Sequence, residues 1–286
     1  MLKKIILRKI MVASTMVLVL LMLYFIPLKS NEIDLNKKAQ VEYIYPNDLE
    51  AIYLLDTNNN LTRSMISVNK ENELTKAKSL IEELTINSNK SDIIPKGFKS
   101  LIPKDTKVNN LTLENKVLKI DFSKEFLNVS PNNEEKLLES LIYTLTSIDG
   151  IDKIIIYVDN KKLEYLPHSH IKLPEFFDKS YGINKKYELA TINNIDSYTV
   201  YYVFNCNNDT YYTPVTKYIN NENQDKVRII IDELATSLLY ESNLMSYLDN
   251  NVKLLDYEIT DKVIKLNFNE FILSDITDSL ILEEVM

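Results

Sequence analysis

Cysteine is almost absent from this chain, and its single cysteine, Cys206, limits the chemistry that is available. One cysteine cannot form a disulfide within the chain, and it cannot build a zinc site held by several thiolates. It lies in the run YYVFNC, whose aromatic and β-branched residues are typical of a strand. We therefore interpret Cys206 as filling space in the core or at a strand end, rather than as a nucleophile.

Glycine and histidine are scarce as well, and tryptophan is absent. With three glycines in all, the chain has no glycine-rich phosphate loop, so no nucleotide is expected. The only histidines, His168 and His170, form a His-x-His pair, but no cysteine or carboxylate pair nearby completes a zinc site of three or four ligands. We interpret the pair as part of a solvated linker. No metal or other cofactor is expected, and a Ser-His-Asp triad would lack its base.

Positive charge is also limited. The chain has 33 basic against 41 acidic residues, a net charge of -8 at pH 7, so its surface repels phosphate backbones. This excludes nucleic acid as an expected partner. By contrast, hydrophobic residues make up 45% of the sequence, as in folded globular proteins, and 286 residues are enough for two domains.

The start of the sequence is basic and then apolar. An uncharged run over residues 10–26 follows Lys3, Lys4, Arg8 and Lys9. Its length approaches that of a membrane-spanning helix, and the preceding basic residues favour a cytoplasmic amino terminus. Because no small-x-small cleavage pattern follows, we interpret residues 1–29 as an uncleaved signal-anchor rather than a cleaved export signal. Residues 30–49 form a polar tether, and we expect a single-pass protein of the cell membrane with its domains extracytoplasmic.

Two stretches of sequence recur in the same order. VLKIDFSKEF, from Val117, returns as VIKLNFNEF from Val263, and LIEEL, from Leu80, returns as IIDEL from Ile230. The displacement is roughly 145 to 150 residues in both cases, which indicates a tandem repeat. We predict two homologous domains, at 50–165 and 198–286, with a connector over 166–197. The second copy stops inside the counterpart of the last helix, so another segment or chain completes it or a sheet position stays unpaired.

The pattern of the first copy predicts its order of elements. IYLLD and LTRSMISV form a hairpin, Asn72 caps a helix, and VNNLTLE and KVLKIDFS form a second strand pair. Ser130 and Pro131 start a second helix, and IDKIIIYVD is the closing strand. This order predicts an α+β domain in which two helices pack on one face of a mixed β-sheet. In the second copy, YTVYYVFN and YYTPVTKY predict the hairpin.

These residues together resemble the GerMN domain family of sporulation and spore germination proteins. The resemblance is carried by YLLD, LTRSMISV, LIEEL, SLIPKDTKV, VLKIDFSKEF and TLTSIDGIDKIIIYVDN. It implies an exported, membrane-attached protein with paired domains and no established enzymatic activity. Lipid-anchored relatives carry a membrane-proximal cysteine that is missing here, so attachment by a lipid is not implied.

Two sets of residues are candidates for a site. Asp121 and Glu125 are candidates because paired carboxylates cleave glycosidic bonds, but Asp121 is replaced by Asn267 in the second copy. Glu125 returns as Glu270, in a turn where a charge is ordinarily at the surface. An aromatic cluster could stack on a sugar or a partner, although strand alternation predicts that half of it is core: Tyr198, Tyr201, Tyr202, Phe204, Tyr211 and Tyr212.

We therefore expect no catalytic residue. The sequence favours a non-enzymatic envelope protein that acts in sporulation or germination by binding envelope or sporulation membrane proteins, or peptidoglycan. The alternative is a cell-wall hydrolase, or an accessory to one, with Glu125 and Glu270 as its acids. A third hypothesis is a secreted solute-binding module.

Overall fold

The structure is a computed structural model that describes residues 49–68, 72–86, 93–207, 209–220, 225–236, 244–261 and 263–273. The predicted signal-anchor at 1–29 lies outside these ranges, as does the tether up to residue 48. Within them, no helix combines the length and the apolar character needed to cross a bilayer.

The first half opens with the predicted hairpin. Strands β1 (Leu49–Leu55) and β2 (Leu61–Ser67) pair antiparallel, and Asn59 takes a positive φ of 64° in the turn between them. Helix α1 (Glu73–Glu83) follows, and the side chain of its N-cap residue, Asn72, accepts the N–H of Thr75 at 2.8 Å. Both the hairpin and the cap are confirmed.

The first half also contains a mixed sheet, separate from the sheet of the hairpin. Its strands lie in the order β3 (Val108–Glu114), β4 (Val117–Phe122), β5 (Lys153–Val158) and β6 (Lys161–Lys162). Strands β4 and β5 run parallel, because the chain between them crosses over as a helix, and the other pairs are antiparallel. Alternation along β4 buries Leu118, Ile120 and Phe122 completely, as predicted.

The crossover helix, α2 (Glu134–Leu145), starts later than predicted. Ser130 and Pro131 begin a 3-10 turn, Pro131–Asn133, and Ser130 makes no side-chain cap bond. The apolar residues of α2 are buried, but so are several of its polar residues. Two of these polar side chains hydrogen-bond to the backbone of β1 at the edge of its sheet. Thr144 Oγ1 accepts the Tyr53 N–H at 3.0 Å, and Ser140 Oγ donates to the Tyr53 carbonyl at 2.6 Å.

The chain from residue 186 onward, which we call the second half, supplies the remaining elements. They are β7 (Lys186–Glu188), β8 (Ile195–Cys206), β9 (Asp209–Asn220), α3 (Lys226–Thr236), β10 (Leu254–Thr260) and β11 (Val263–Phe268). The predicted hairpin is β8–β9, with longer strands than the pattern suggested. The pair β10–β11 forms a separate two-stranded sheet. The predicted last helix falls on residues after 273, outside the described residues.

The hairpins of the two halves share one sheet, which corrects the expectation of one mixed sheet in each copy. Strand β8 covers one edge of β9, and β9 also pairs with β7 and, at Arg63–Tyr212, with β2. The first hairpin therefore extends the sheet of the second, giving the order β1-β2-β9-β7 with β8 on β9. Residues between the halves join the same hydrophobic core, which includes Leu166, Leu173, Phe177 and Ile183.

Candidate functional site

A cleft of about 440 Å³ opens beside the segment that joins the two halves. Residues 174–178, 180, 181 and 185 line it, together with Tyr218 of β9. The segment is fastened to β5 by Phe177, whose backbone exchanges two hydrogen bonds with Ile154, at 2.8 and 2.9 Å. One wall of the cleft thus rests on the sheet that contains β5, and the other wall belongs to the sheet that contains β9.

Aromatic side chains dominate the cleft. Phe176 is 40% exposed, and the Lys153 ammonium lies 3.8 Å from the centre of its ring. Tyr218 stacks on Tyr187, with ring centres 4.8 Å apart and planes 17° apart. Tyr181 packs edge-on against buried Phe177 at 5.3 Å. These rings are held in place by neighbours, so the cleft is formed before any ligand arrives.

Charged groups border the rings. The Lys185 ammonium lies 3.6 Å from the centre of the Tyr181 ring and pairs with the carboxylates of Glu135, at 2.7 Å, and Glu139, at 3.5 Å. Asp178 accepts the N–H of Ser180 at 2.9 Å and so caps the turn Lys179–Tyr181. A sugar ring could stack its apolar face on the aromatic rings while its hydroxyls bond to the charged rim.

Gly182 allows this segment to lie close to β9. Its φ is +83°, and a Cβ atom at this position would lie 2.8 Å from the Tyr218 hydroxyl oxygen. That hydroxyl donates to the Tyr181 carbonyl at 3.3 Å. Glycine is therefore required here by both the backbone conformation and the space.

The tyrosine hydroxyls of the cleft remain protonated. Burial raises the pKa of Tyr218 to about 12, and burial followed by the negative charge of Glu135 raises the pKa of Tyr181 further. Both groups are therefore neutral hydrogen-bonding partners near neutral pH.

The sequence interpretation missed this cleft. Its segment, PEFFDKSYG, lies in the predicted connector and has no helical or strand periodicity. The available signal was the group of aromatic residues Phe176, Phe177 and Tyr181 between Pro174 and Gly182. That signal was weak because tyrosine is common throughout the chain, with 18 residues.

The two glutamates of the hydrolase alternative lie apart from the cleft. Glu125 is in the turn Lys124–Asn128 after β4, and Glu270 is in the turn Glu270–Leu273 after β11, so they follow strands of different sheets. Hydrogen bonding from Ser123 is the main effect that lowers the pKa of Glu125. A lowered pKa suits an ionised surface carboxylate and not a general acid.

Asp121 is engaged within the fold. It is 7% exposed, and its Oδ1 accepts the N–H of Asn160 at 2.9 Å, which ties β4 to the turn after β5. Its strand neighbour Lys119 instead points its ammonium to Glu114, at 2.8 Å. Asp121 thus anchors a turn.

His168 is exposed, as expected for a solvated linker, and it is also hydrogen-bonded to the first half. Its N–H and that of Ser169 donate to the Glu134 carboxylate, at 2.9 and 3.0 Å, and its Nε2 lies 2.7 Å from the Val129 carbonyl oxygen. His170 is exposed, with a positive φ of 55°. In the ranges that the structure covers, no group of three or more His, Cys, Asp or Glu residues is placed to hold a metal ion.

The aromatic hairpin is half core, as alternation predicted. Tyr198, Tyr202 and Phe204 are buried, whereas Tyr201 is 43% exposed. Cys206 is half-buried at the end of β8, and its Sγ would lie 3.3 Å from a Cβ at Gly97. This position agrees with a space-filling residue at a strand end.

Comparison with known proteins gives the family. A family model named Germane, described as "Sporulation and spore germination", matches residues 51–164. "Spore germination protein GerM" of Bacillus subtilis (strain 168) is 29% identical over 248 residues, which cover 85% of this chain and 67% of the relative. The solved structure "Tandem GerMN domains of the sporulation protein GerM from Bacillus subtilis" is 30% identical, with a TM-score of 0.74, over 82% of this chain and 86% of that chain. The chain belongs to the GerMN family of sporulation and spore germination proteins.

GerMN membership confirms the resemblance read from the motifs, and the tandem α+β architecture with it. The residues that match the GerMN family model contain Glu135 and Glu139 on α2 but end before the cleft segment at 174–185. The cleft is therefore formed outside the matched stretch, where the first GerMN copy meets the second half.

Proposed function

We propose that this chain acts in the cell envelope during sporulation or spore germination as a non-enzymatic protein that binds peptidoglycan through its aromatic cleft. Membership of the GerMN family gives the role in sporulation or germination. The location outside the cytoplasm and the anchoring through residues 1–29 are parts of the proposal, based on the basic and apolar start of the sequence.

The observation that carries the proposal is the set of aromatic rings bordered by charge. Phe176 offers an exposed ring, and Tyr181 and Tyr218 line the same space with neutral hydroxyls. Peptidoglycan presents sugar rings, which stack on such surfaces, and peptides with amino groups, which suit the Asp178 carboxylate in the lining. The cleft volume of about 440 Å³ accommodates a disaccharide-sized ligand.

A role in binding rather than cleavage is supported by the placement of the two acids of the hydrolase alternative and of Glu139. Glu125 and Glu270 follow different sheets. Nearer the cleft, Glu139 is buried, and its oxygens are engaged by Lys185 and by the Asn184 N–H. Neither arrangement presents an acid and a base across one substrate bond.

The first prediction concerns Phe176. Full-length protein, purified in detergent, is expected to sediment with purified peptidoglycan sacculi, and Phe176→Ala to weaken binding roughly 3- to 10-fold, as expected for the loss of one stacking ring. Cosedimentation over a range of sacculus concentrations measures this. The same samples are assayed for soluble sugar release, and wild-type release that Glu125→Gln abolishes would favour the hydrolase instead.

Tyr165→Ala is the matched control, because Tyr165 is an aromatic residue with 50% exposure that does not line the cleft. It should bind like the wild type. Failure of the wild-type protein to sediment, or equal losses in the two variants, would refute binding through the cleft.

A further inference from the structure

A second pocket, of about 350 Å³, shares no lining residue with the aromatic cleft. It is lined by β1 and β2 of the first half, by Tyr201 of β8, and by Ser147 and Lys179. It therefore lies where the two hairpins and the turn Lys179–Tyr181 meet. Its lining is mainly polar, unlike that of the cleft.

Two cations face this pocket without a carboxylate partner. Arg63 lies at the centre of β2, paired in register with Tyr53 and Tyr212, and it is half-buried. Lys179 begins the turn beside it. In the described part of the chain, neither side chain has an aspartate or glutamate within ion-pair distance. Burial, and then the positive charge of Arg63, lowers the pKa of Lys179, so the two cations are close enough to repel each other.

Among the described residues, Glu50 is the carboxylate that lines the pocket, and it already has a cation. Glu50 lies 2.5 Å from the ammonium of Lys76, on α1. Its negative charge is thus largely balanced, and the pocket keeps an excess of positive charge. This is unusual in a chain whose net charge is -8.

A hydroxyl completes the lining. Tyr201 is 43% exposed, and its hydroxyl oxygen lies 3.5 Å from that of Tyr53. Burial is the main effect that raises the pKa of Tyr201, so its hydroxyl stays protonated and can donate. Ser147 instead donates its hydroxyl proton to the Tyr143 carbonyl, at 2.6 Å, so it is not counted as a donor to a ligand.

We infer that this pocket is an anion-binding site, which takes a carboxylate or phosphate group between Arg63 and Lys179. A planar guanidinium binds either group through two parallel hydrogen bonds, and an ammonium adds a point charge. An anion here would also relieve the repulsion between the two cations. The inference goes beyond the proposed function, because it concerns other residues and holds whether or not the cleft binds sugars.

The test uses two probes, inorganic phosphate and succinate, each compared with chloride at the same ionic strength. Thermal unfolding and titration calorimetry of the full-length protein are expected to show stabilisation and saturable binding with at least one probe. Arg63→Gln and Lys179→Gln are each expected to weaken this binding at least tenfold. Binding of phosphate alone indicates a phosphate-bearing ligand such as a wall polymer, whereas binding of succinate indicates a carboxylate such as that of a peptide.

The control is Lys119→Gln, which removes an exposed cation that pairs with Glu114 outside the pocket, and it should bind like the wild type. Arg63→Lys keeps the charge and should retain more binding than Arg63→Gln, which separates loss of charge from loss of folding. The inference fails if neither probe binds the wild-type protein, or if Arg63→Gln and Lys179→Gln bind as well as the Lys119→Gln control does.

Discussion

At the scale of single residues, Glu139 shows how a buried carboxylate fastens the segment between the halves. The residue is 3% exposed, its Oε2 accepts the N–H of Asn184 at 2.9 Å, and its Oε1 lies 3.5 Å from the Lys185 ammonium. Burial is the largest effect on this group and raises its pKa to about 7, although Lys185 opposes the rise. The neighbouring carboxylate of Glu135 contributes to this rise.

This raised pKa predicts the pH dependence of stability. The folded state holds the proton more tightly than the unfolded chain does, so the contribution of Glu139 to stability falls as the pH rises from about 4.5 to about 7. Glu139→Gln keeps an acceptor for Asn184 and cannot ionise, so its melting temperature should fall less than that of the wild type across this window. Since one pKa unit is worth about 1.4 kcal/mol, the difference amounts to a few kcal/mol at most.

Calorimetric melts of both proteins at about pH 5 and pH 8 measure the effect. Glu134→Gln is a useful comparison, because burial raises the pKa of Glu134 but hydrogen bonds from Ser169 and His168 outweigh it and lower the pKa overall. Ionised Glu134 stabilises the wild type, and this contribution is lost as the pH falls. Glu134→Gln should therefore show a smaller loss of stability toward acidic pH than the wild type does. Identical pH profiles for Glu139→Gln and the wild type would contradict this account.

At the scale of elements, the features set by neighbouring residues were predicted from the sequence, whereas the pairing of strands distant in sequence was not. The turn at Asn59, the cap at Asn72 and the buried face of β4 follow from neighbours in sequence, and the structure confirms them. The pairing of Arg63 with Tyr212 joins strands far apart in sequence, so no periodicity reveals it. The cleft was missed for a related reason, since Phe177 packs on β5 from a segment without regular structure.

The two helix starts give a matched prediction. Asn72→Ala removes the side-chain acceptor for the Thr75 N–H and should cost about 1 kcal/mol of unfolding free energy. Ser130→Ala removes a residue that was expected to cap a helix but makes no side-chain cap bond, so its effect should stay within about 0.5 kcal/mol. Urea midpoints of both variants decide this, and a larger loss for Ser130→Ala would show that the cap assignment is wrong.

At the scale of the whole molecule, the two halves are joined by buried polar contacts as well as by the shared core. The Asn184 side chain accepts the Leu61 N–H at 2.8 Å and donates to the carbonyls of Leu61 and Pro214, both at 2.7 Å. Nearby, the hydroxyls of Thr62 and Thr213 lie 2.6 Å apart. Because Asn184 contacts β2 of the first half and β9 of the second, it couples the packing of one to that of the other.

This coupling predicts that both halves unfold together. Asn184→Gly keeps the positive φ of 47° accessible but leaves the buried backbone groups of Leu61 and the Pro214 carbonyl without their partner, which should cost at least about 2 kcal/mol. Asn193→Gly, in an exposed loop, should cost much less. Urea unfolding followed by both tyrosine fluorescence and circular dichroism should give coincident curves in each protein. Separate transitions in the wild type, or a small loss in Asn184→Gly, would mean that the halves are stable independently and that the shared sheet contributes little to holding them together.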